Sequence, residues 1–212
     1  MTDRGSSPPG RMLIAGVGNI FLGDDAFGPE VARRLAAEDL PAWVRVADYG
    51  ISGMHLAYDL ADGYETAILI DAAPRGDEPG TVSVLEVTAE HRRDLAEAAG
   101  PLGASRLFDS HGMQPDVVLG VLDMLGDGGP ARTLVVGCEP ASVDYGMELS
   151  EPVAGAVGEA VQVILGLVAE AGRASQDAEQ PVAASPGTPA SDDGQFPETT
   201  GEGVSHVPWH SR

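Results

Sequence analysis

The chain has 212 residues and carries 33 Asp plus Glu against 12 Lys plus Arg, a formal net charge of −21. All the basic residues are arginine, which excludes a Walker-type phosphate lysine and a Schiff-base lysine. The acidity argues against a nucleic-acid partner, whose affinity comes from cations that release counterions. The apolar fraction of 43 % is enough for one sizeable core. Cys138 is the single cysteine, so no intramolecular disulfide forms and nothing asks for an oxidising compartment. No apolar run approaches the roughly 18 residues of a membrane span. Met1 to Arg11 is polar, holds Pro8 and Pro9, and lacks the apolar core of a signal peptide. A soluble cytoplasmic protein with neither a membrane nor a nucleic-acid partner is expected.

Three regions follow from composition: a flexible N-terminus (1–11), an α/β domain (12–172) and an acidic Pro/Gly/Ser-rich tail (173–212). The tail has too few apolar residues to offset the entropy of ordering it, so disorder is expected there. It holds six acids and two arginines, net −4, which leaves −17 to the body.

Within the body, short β-type runs alternate with amphipathic segments, the pattern of βαβ units around a parallel sheet. The expected architecture is a three-layer α/β/α fold with a five-stranded, mostly parallel twisted sheet between helices. Met12 to Val17 is nearly all apolar, as suits a central strand buried on both faces. A Gly- and Asp-rich loop, Gly18 to Gly28, leads to a helix with Pro29 in its first turn. Val44 to Ala47 is a second strand, and Ser52 is placed to cap a helix bearing Met54, Leu56 and Leu60. Ala67 to Asp71 is a third strand that stops in an acid. Thr81 to Val87 alternates and makes a fourth strand, a candidate for antiparallel pairing. Helices are expected over Ala89 to Ala99 and from Gly112 through Leu125. Leu134 to Gly137 is the fifth strand, and Glu151 to Ala171 the closing helix.

The turn Gly16-Val17-Gly18-Asn19 partly matches a dinucleotide fingerprint, but the third glycine falls on Phe21, and Asp24 and Asp25 would face a pyrophosphate with like charge. A glycine turn serving another ligand is expected instead. In a doubly wound sheet, Asp25, Asp71 and His111 come from three segments that all open at the carboxyl edge, where such folds bind ligands. Two oxygen donors and one nitrogen donor suit a divalent transition metal. An ordinary acidic rim with a capping histidine has the same residues, and spacing alone leaves both readings open. Asp24 would point elsewhere and orient the loop. Gly50-Ile51-Ser52-Gly53 lacks the last glycine of a nucleophile elbow. Cys138 next to Glu139 is expected to be a core thiol, and His55 and His91 surface residues.

These residues, in this order, resemble the hydrogenase maturation proteases, endopeptidases that trim the large subunit of [NiFe]-hydrogenases. The resemblance is carried by Gly16-Val17-Gly18-Asn19 through Asp24-Asp25-Ala26-Phe27-Gly28. It is supported by Asp71-Ala72, Ser110-His111, Val136-Gly137-Cys138-Glu139-Pro140 and Leu149-Ser150. It covers about residues 12 to 170. It implies that Asp25, Asp71 and His111 are the catalytic residues and contact nickel supplied by the partner, the large-subunit precursor. The first acid is Glu in some members and Asp in others, so Asp25 fits. The implied reaction is hydrolysis of one peptide bond near the precursor's C-terminus after nickel insertion. A non-catalytic metal-binding scaffold for hydrogenase assembly is the alternative, and a nucleotide-binding enzyme a weaker one.

Overall fold

The computed structural model describes residues 10–88 and 129–177. Its strands are β1 (Met12–Val17), β2 (Val44–Gly50), β3 (Thr66–Ala72), β4 (Val82–Val87) and β5 (Arg132–Cys138). The helices are α1 (Phe27–Leu35), α2 (Gly53–Leu60) and α3 (Glu151–Asp177). The expected helices over Ala89 to Ala99 and Gly112 to Leu125, with His91, His111, residues 1–9 and the tail beyond 177, lie outside the described residues. Each expected strand is present, β1 with the expected ends; β2 runs three residues past Ala47, and β5 extends in both directions. The closing helix, expected to Ala171, continues to Asp177.

The strands form one sheet in the order β2-β1-β3-β5-β4. Pairing is parallel from β2 through β5, and β4 joins β5 antiparallel, as the turn-rich stretch before it allows. β1 sits between β2 and β3, and all six of its residues are buried. Its two faces feed different cores. Met12 and Ile14 join Ile68, Ile70, Leu134 and Val136 beneath α1 and α3, whereas Leu13, Ala15 and Val17 join Ala67 and Leu69 beneath α2. A helical layer therefore covers each face, which explains why β1 and β3 are apolar without alternation.

α1 buries Phe27, Val31 and Leu35, one residue per turn. On its outer side Glu30 pairs with Arg33 and Arg34, contacts worth a few tenths of a kcal/mol each. Ser52 precedes α2 but makes no side-chain cap, contrary to expectation; its backbone (φ −94°, ψ 63°) continues the turn that follows β2. In α3, Val153, Val157, Val161, Ile164 and Val168 recur at helical spacing and are buried. Against the expectation that no segment approaches a membrane span, Glu151–Ser175 has the length and the mean hydropathy, 1.7, to cross one. Its buried stripe makes it the core helix of this domain instead, and Glu159 is what breaks the run in the sequence.

Candidate active site

In the order β2-β1-β3 the first strand lies between the next two, and the loops after β1 and β3 both open at the carboxyl edge of the sheet, where such folds bind ligands. Asp25 lies in the loop after β1, on a 3₁₀ turn, Gly23–Ala26, and Asp71 lies at the end of β3 opposite Gly137 of β5. The structure brings these two acids to one edge, with the 3₁₀ turn packed against β3. His111 lies outside the described residues.

Glycines set how closely the loop is drawn in. At Gly28 a Cβ would stand 2.2 Å from the Val17 carbonyl oxygen and 2.3 Å from that of Ile70, so α1 begins directly on the backbone of both strands, one residue from Asp71. Gly18 adopts φ +135°, and a Cβ there would stand 1.9 Å from the Asp25 carbonyl oxygen. The close helix–strand approach that a dinucleotide fold assigns to its third glycine is thus made here by Gly28. Gly18 and Gly28 draw the loop and α1 tightly onto the strands.

The adjacent aspartates have opposite environments. Asp24 is buried at 1 % exposure, and its carboxylate accepts the N–H groups of Ala141 (2.8 Å), Ser142 (3.0 Å) and Ser150 (2.6 Å) and the Ser150 hydroxyl (2.9 Å). Burial opposes its charge, but these four donors together outweigh burial and hold the carboxyl below its ordinary value. Asp24 is therefore a strut: it fastens the loop after β1 to the loop after β5 and to the residue before α3. Backbone pairing completes the joint, with Gly23 N–H donating to Gly146, Gly146 N–H to Phe21, and Asp24 N–H to Ser142. The expected loop-orienting role of Asp24 is what the geometry shows.

Asp25 is half-buried and, among the described residues, its carboxylate accepts the Asn19 N–H at 2.6 Å. Burial pushes its carboxyl up, and that one hydrogen bond pulls it back only in part. A carboxylate held with a spare oxygen and a raised proton affinity suits a metal contact or proton acceptance. Asp71 is 6 % exposed.

Glu139 is a further acid whose role the sequence reading missed. It accepts the N–H groups of Arg75 (2.6 Å) and Gly76 (3.2 Å), which holds its carboxyl below the usual range despite burial. It thereby anchors the loop that follows Asp71, and Ala73 N–H donates to the Cys138 carbonyl beside it. The signal available was an acid directly after a buried strand, the same signal that singled out Asp71. Cys138 is fully buried, as expected; burial first, then Asp24 and Glu139, push its thiol up to about 11. His55 is exposed on α2, as expected.

An open cleft of about 590 Å³ lies over α1, bounded by Val46 to Asp48 of β2 and by Met147 to Leu149. Ala26, next to Asp25, and Ile20 form part of its wall.

A family model described as hydrogenase maturation protease matches residues 29–167. That match begins after the Gly16 to Gly28 loop, so it is carried by the rest of the domain. The chain is 34 % identical over 161 residues to the hydrogenase expression/formation protein HupD of Rhodobacter capsulatus, covering 73 % of this chain and 71 % of that one. Among solved structures it resembles the hydrogenase maturating endopeptidase HybD from E. coli, with a TM-score of 0.61, 29 % identity, and coverage of 76 % of this chain and 94 % of that one. It also resembles a hydrogenase 2 maturation peptidase from Thaumarchaeota archaeon SCGC_AB-539-E09, with a TM-score of 0.56, 33 % identity, and coverage of 75 % and 98 %. A matched model over most of the domain, and relatives that share both sequence and sheet, mean that the chain belongs to the hydrogenase maturation protease family.

Proposed function

We propose that this protein is the endopeptidase that removes the C-terminal extension of a [NiFe]-hydrogenase large-subunit precursor once nickel has been inserted. Asp25, Asp71 and His111 are the residues we assign to the nickel carried by that precursor, and the reaction is assigned to the cytoplasm. What supports this reading is the placement of Asp25 in the loop after β1 and of Asp71 at the end of β3, at one edge of the sheet, in a chain of this family. Two carboxylates and one imidazole fit a divalent nickel ion in chemistry, leaving positions open for the precursor's own ligands. Metal loading then supplies the binding energy that aligns the scissile bond, so an unloaded precursor is not cut. Water is the nucleophile in this reading, in keeping with a Cys138 that is buried with its thiol protonated and a Ser150 hydroxyl that donates to Asp24. The raised proton affinity of Asp25 makes it a better acceptor for the water's proton than an ordinary surface carboxylate.

The test is incubation of the purified chain with nickel-loaded and nickel-free precursor, followed by intact mass. Loss of a C-terminal peptide only from the loaded precursor is expected. Asp25→Ala and His111→Ala should abolish cleavage while leaving the circular dichroism spectrum unchanged. Stable binding with no change in mass would make the protein a scaffold, and full activity in either variant would remove that residue from the site.

A further inference from the structure

Five large apolar side chains stand exposed on the loops after β1 and β5: Ile20, Phe21, Val143, Tyr145 and Met147. Phe21 is 50 % exposed, Met147 72 % and Tyr145 92 %. The two loops are one unit. Leu22 bridges to Gly146, the Gly146 N–H donates to the Phe21 carbonyl, and the Asp24 carboxylate binds three backbone N–H groups of residues 141–150. The platform is therefore held at both sides while its side chains face outward, an arrangement that contributes nothing to the core and marks an interaction surface. Ile20 and Met147 continue from the platform into the wall of the 590 Å³ cleft, a volume that takes several side chains of an extended segment.

Charge selects among the occupants. Arg33 and Arg34, which also line the cleft, are both paired with Glu30, whereas Asp48, Asp144 and Glu148 are exposed and take part in none of the ion pairs among the described residues. A second copy of this chain would bring another −21, and an anionic bilayer would be repelled in the same way. We propose that this platform and the adjoining cleft form a docking site for a segment of the protein substrate, one with apolar side chains to cover Tyr145 and Met147 and arginine or lysine beside them to meet Asp48, Asp144 and Glu148. The inference rests on the protease reading for the identity of the substrate. The platform lies beside the acids at the sheet edge, so it grips the precursor separately from the nickel and lowers KM without entering the chemical step.

The experiment uses the full chain and the nickel-loaded large-subunit precursor, with precursor binding read by interferometry and cleavage read by intact mass. The double variant Tyr145→Ser/Met147→Ser is expected to weaken precursor binding and raise KM at least tenfold, with kcat held within about twofold. Glu148→Lys should weaken binding about threefold or more, and the loss should fade as NaCl rises from 50 to 500 mM. Tyr58→Ser, at an exposed aromatic on α2 away from the platform, is the control and should change neither. Unaltered KM and binding in the double variant would overturn the proposal. So would a concentration-dependent dimer of the parent chain that the double variant abolishes, which would give the surface to a second copy. If the parent binds the precursor through this platform yet never shortens it, the protease reading fails while the docking site stands.

Discussion

Asp24 and Asp25 are neighbours in sequence with opposite electrostatic duties. Four donors converge on Asp24, so its carboxylate is more acidic in the fold than in the unfolded chain. The stability it contributes is present above the ordinary aspartate value and is lost as pH falls through the lower, folded one. Asp24→Asn keeps the shape but turns an NH₂ group toward donors. It should cost about 2–3 kcal/mol, read as a lower denaturation midpoint, and should reduce cleavage by loosening the Asp25 loop. Asp25 has the reverse sign. Its charged form is penalised by burial, so at neutral pH the folded state gives up stability that returns as pH falls and the carboxyl takes a proton. Asp25→Asn should therefore raise the melting temperature at pH 7, and the gain should shrink on acidification, even though cleavage is lost. A melting temperature lowered at pH 7 would count against that account. The sequence had flagged both residues, and expected Asp24 to orient the loop, but the donors that decide it come from residues 141, 142 and 150, more than a hundred positions away.

At the scale of elements, α3 does the most to close the core over β5 and α1. Ile164 is fully buried in that stripe, so Ile164→Ala should destabilise the domain by about 3–4 kcal/mol, measurable by urea denaturation with an unchanged m-value. Gln162→Ala, at an exposed position of the same helix, leaves no cavity and should change stability by about half a kcal/mol or less. Every strand was legible beforehand, because a buried parallel strand needs a continuous apolar run and β1, β3 and β5 have one. Strand ends were not. β2 extends three residues beyond Ala47 through Asp48, Tyr49 and Gly50, where pairing with β1 continues across a register shift at Gly16/Val17 that no side-chain pattern announces. The missing Ser52 cap has the same origin: the tertiary turn, with Gly18 N–H donating to Gly50, sets that backbone before the hydroxyl can compete.

For the whole molecule, a net charge of −21 is a self-repulsion that folding concentrates. Only five ion-pair contacts relieve it among the described residues, and they sit at exposed or half-exposed positions where each contributes little. Raising NaCl from about 20 to about 300 mM shortens the Debye length from roughly 20 Å to below 8 Å, so the melting temperature should rise by several degrees. A flat response across that range would mean that the acids are already neutralised by bound cations.

The amino-acid sequence by itself determined the α/β class, the strand-bearing segments, the burial of Cys138 and the placing of Asp25 in the loop after β1 and of Asp71 at the end of β3, because each follows from local apolar runs and turn chemistry. Tertiary structure alone decided that Gly28 seats α1 on β1 and β3, that the donors holding Asp24 come from residues 141, 142 and 150, and that Tyr145 and Met147 stand in the open. Those three outcomes depend on which distant backbone lies within hydrogen-bonding or van der Waals reach, a property of the assembled sheet that no local pattern encodes. The acidity that first served to exclude nucleic acid thereby divides by position into a strut, an anchor at Glu139, two acids at the sheet edge, and a charged border around an apolar platform.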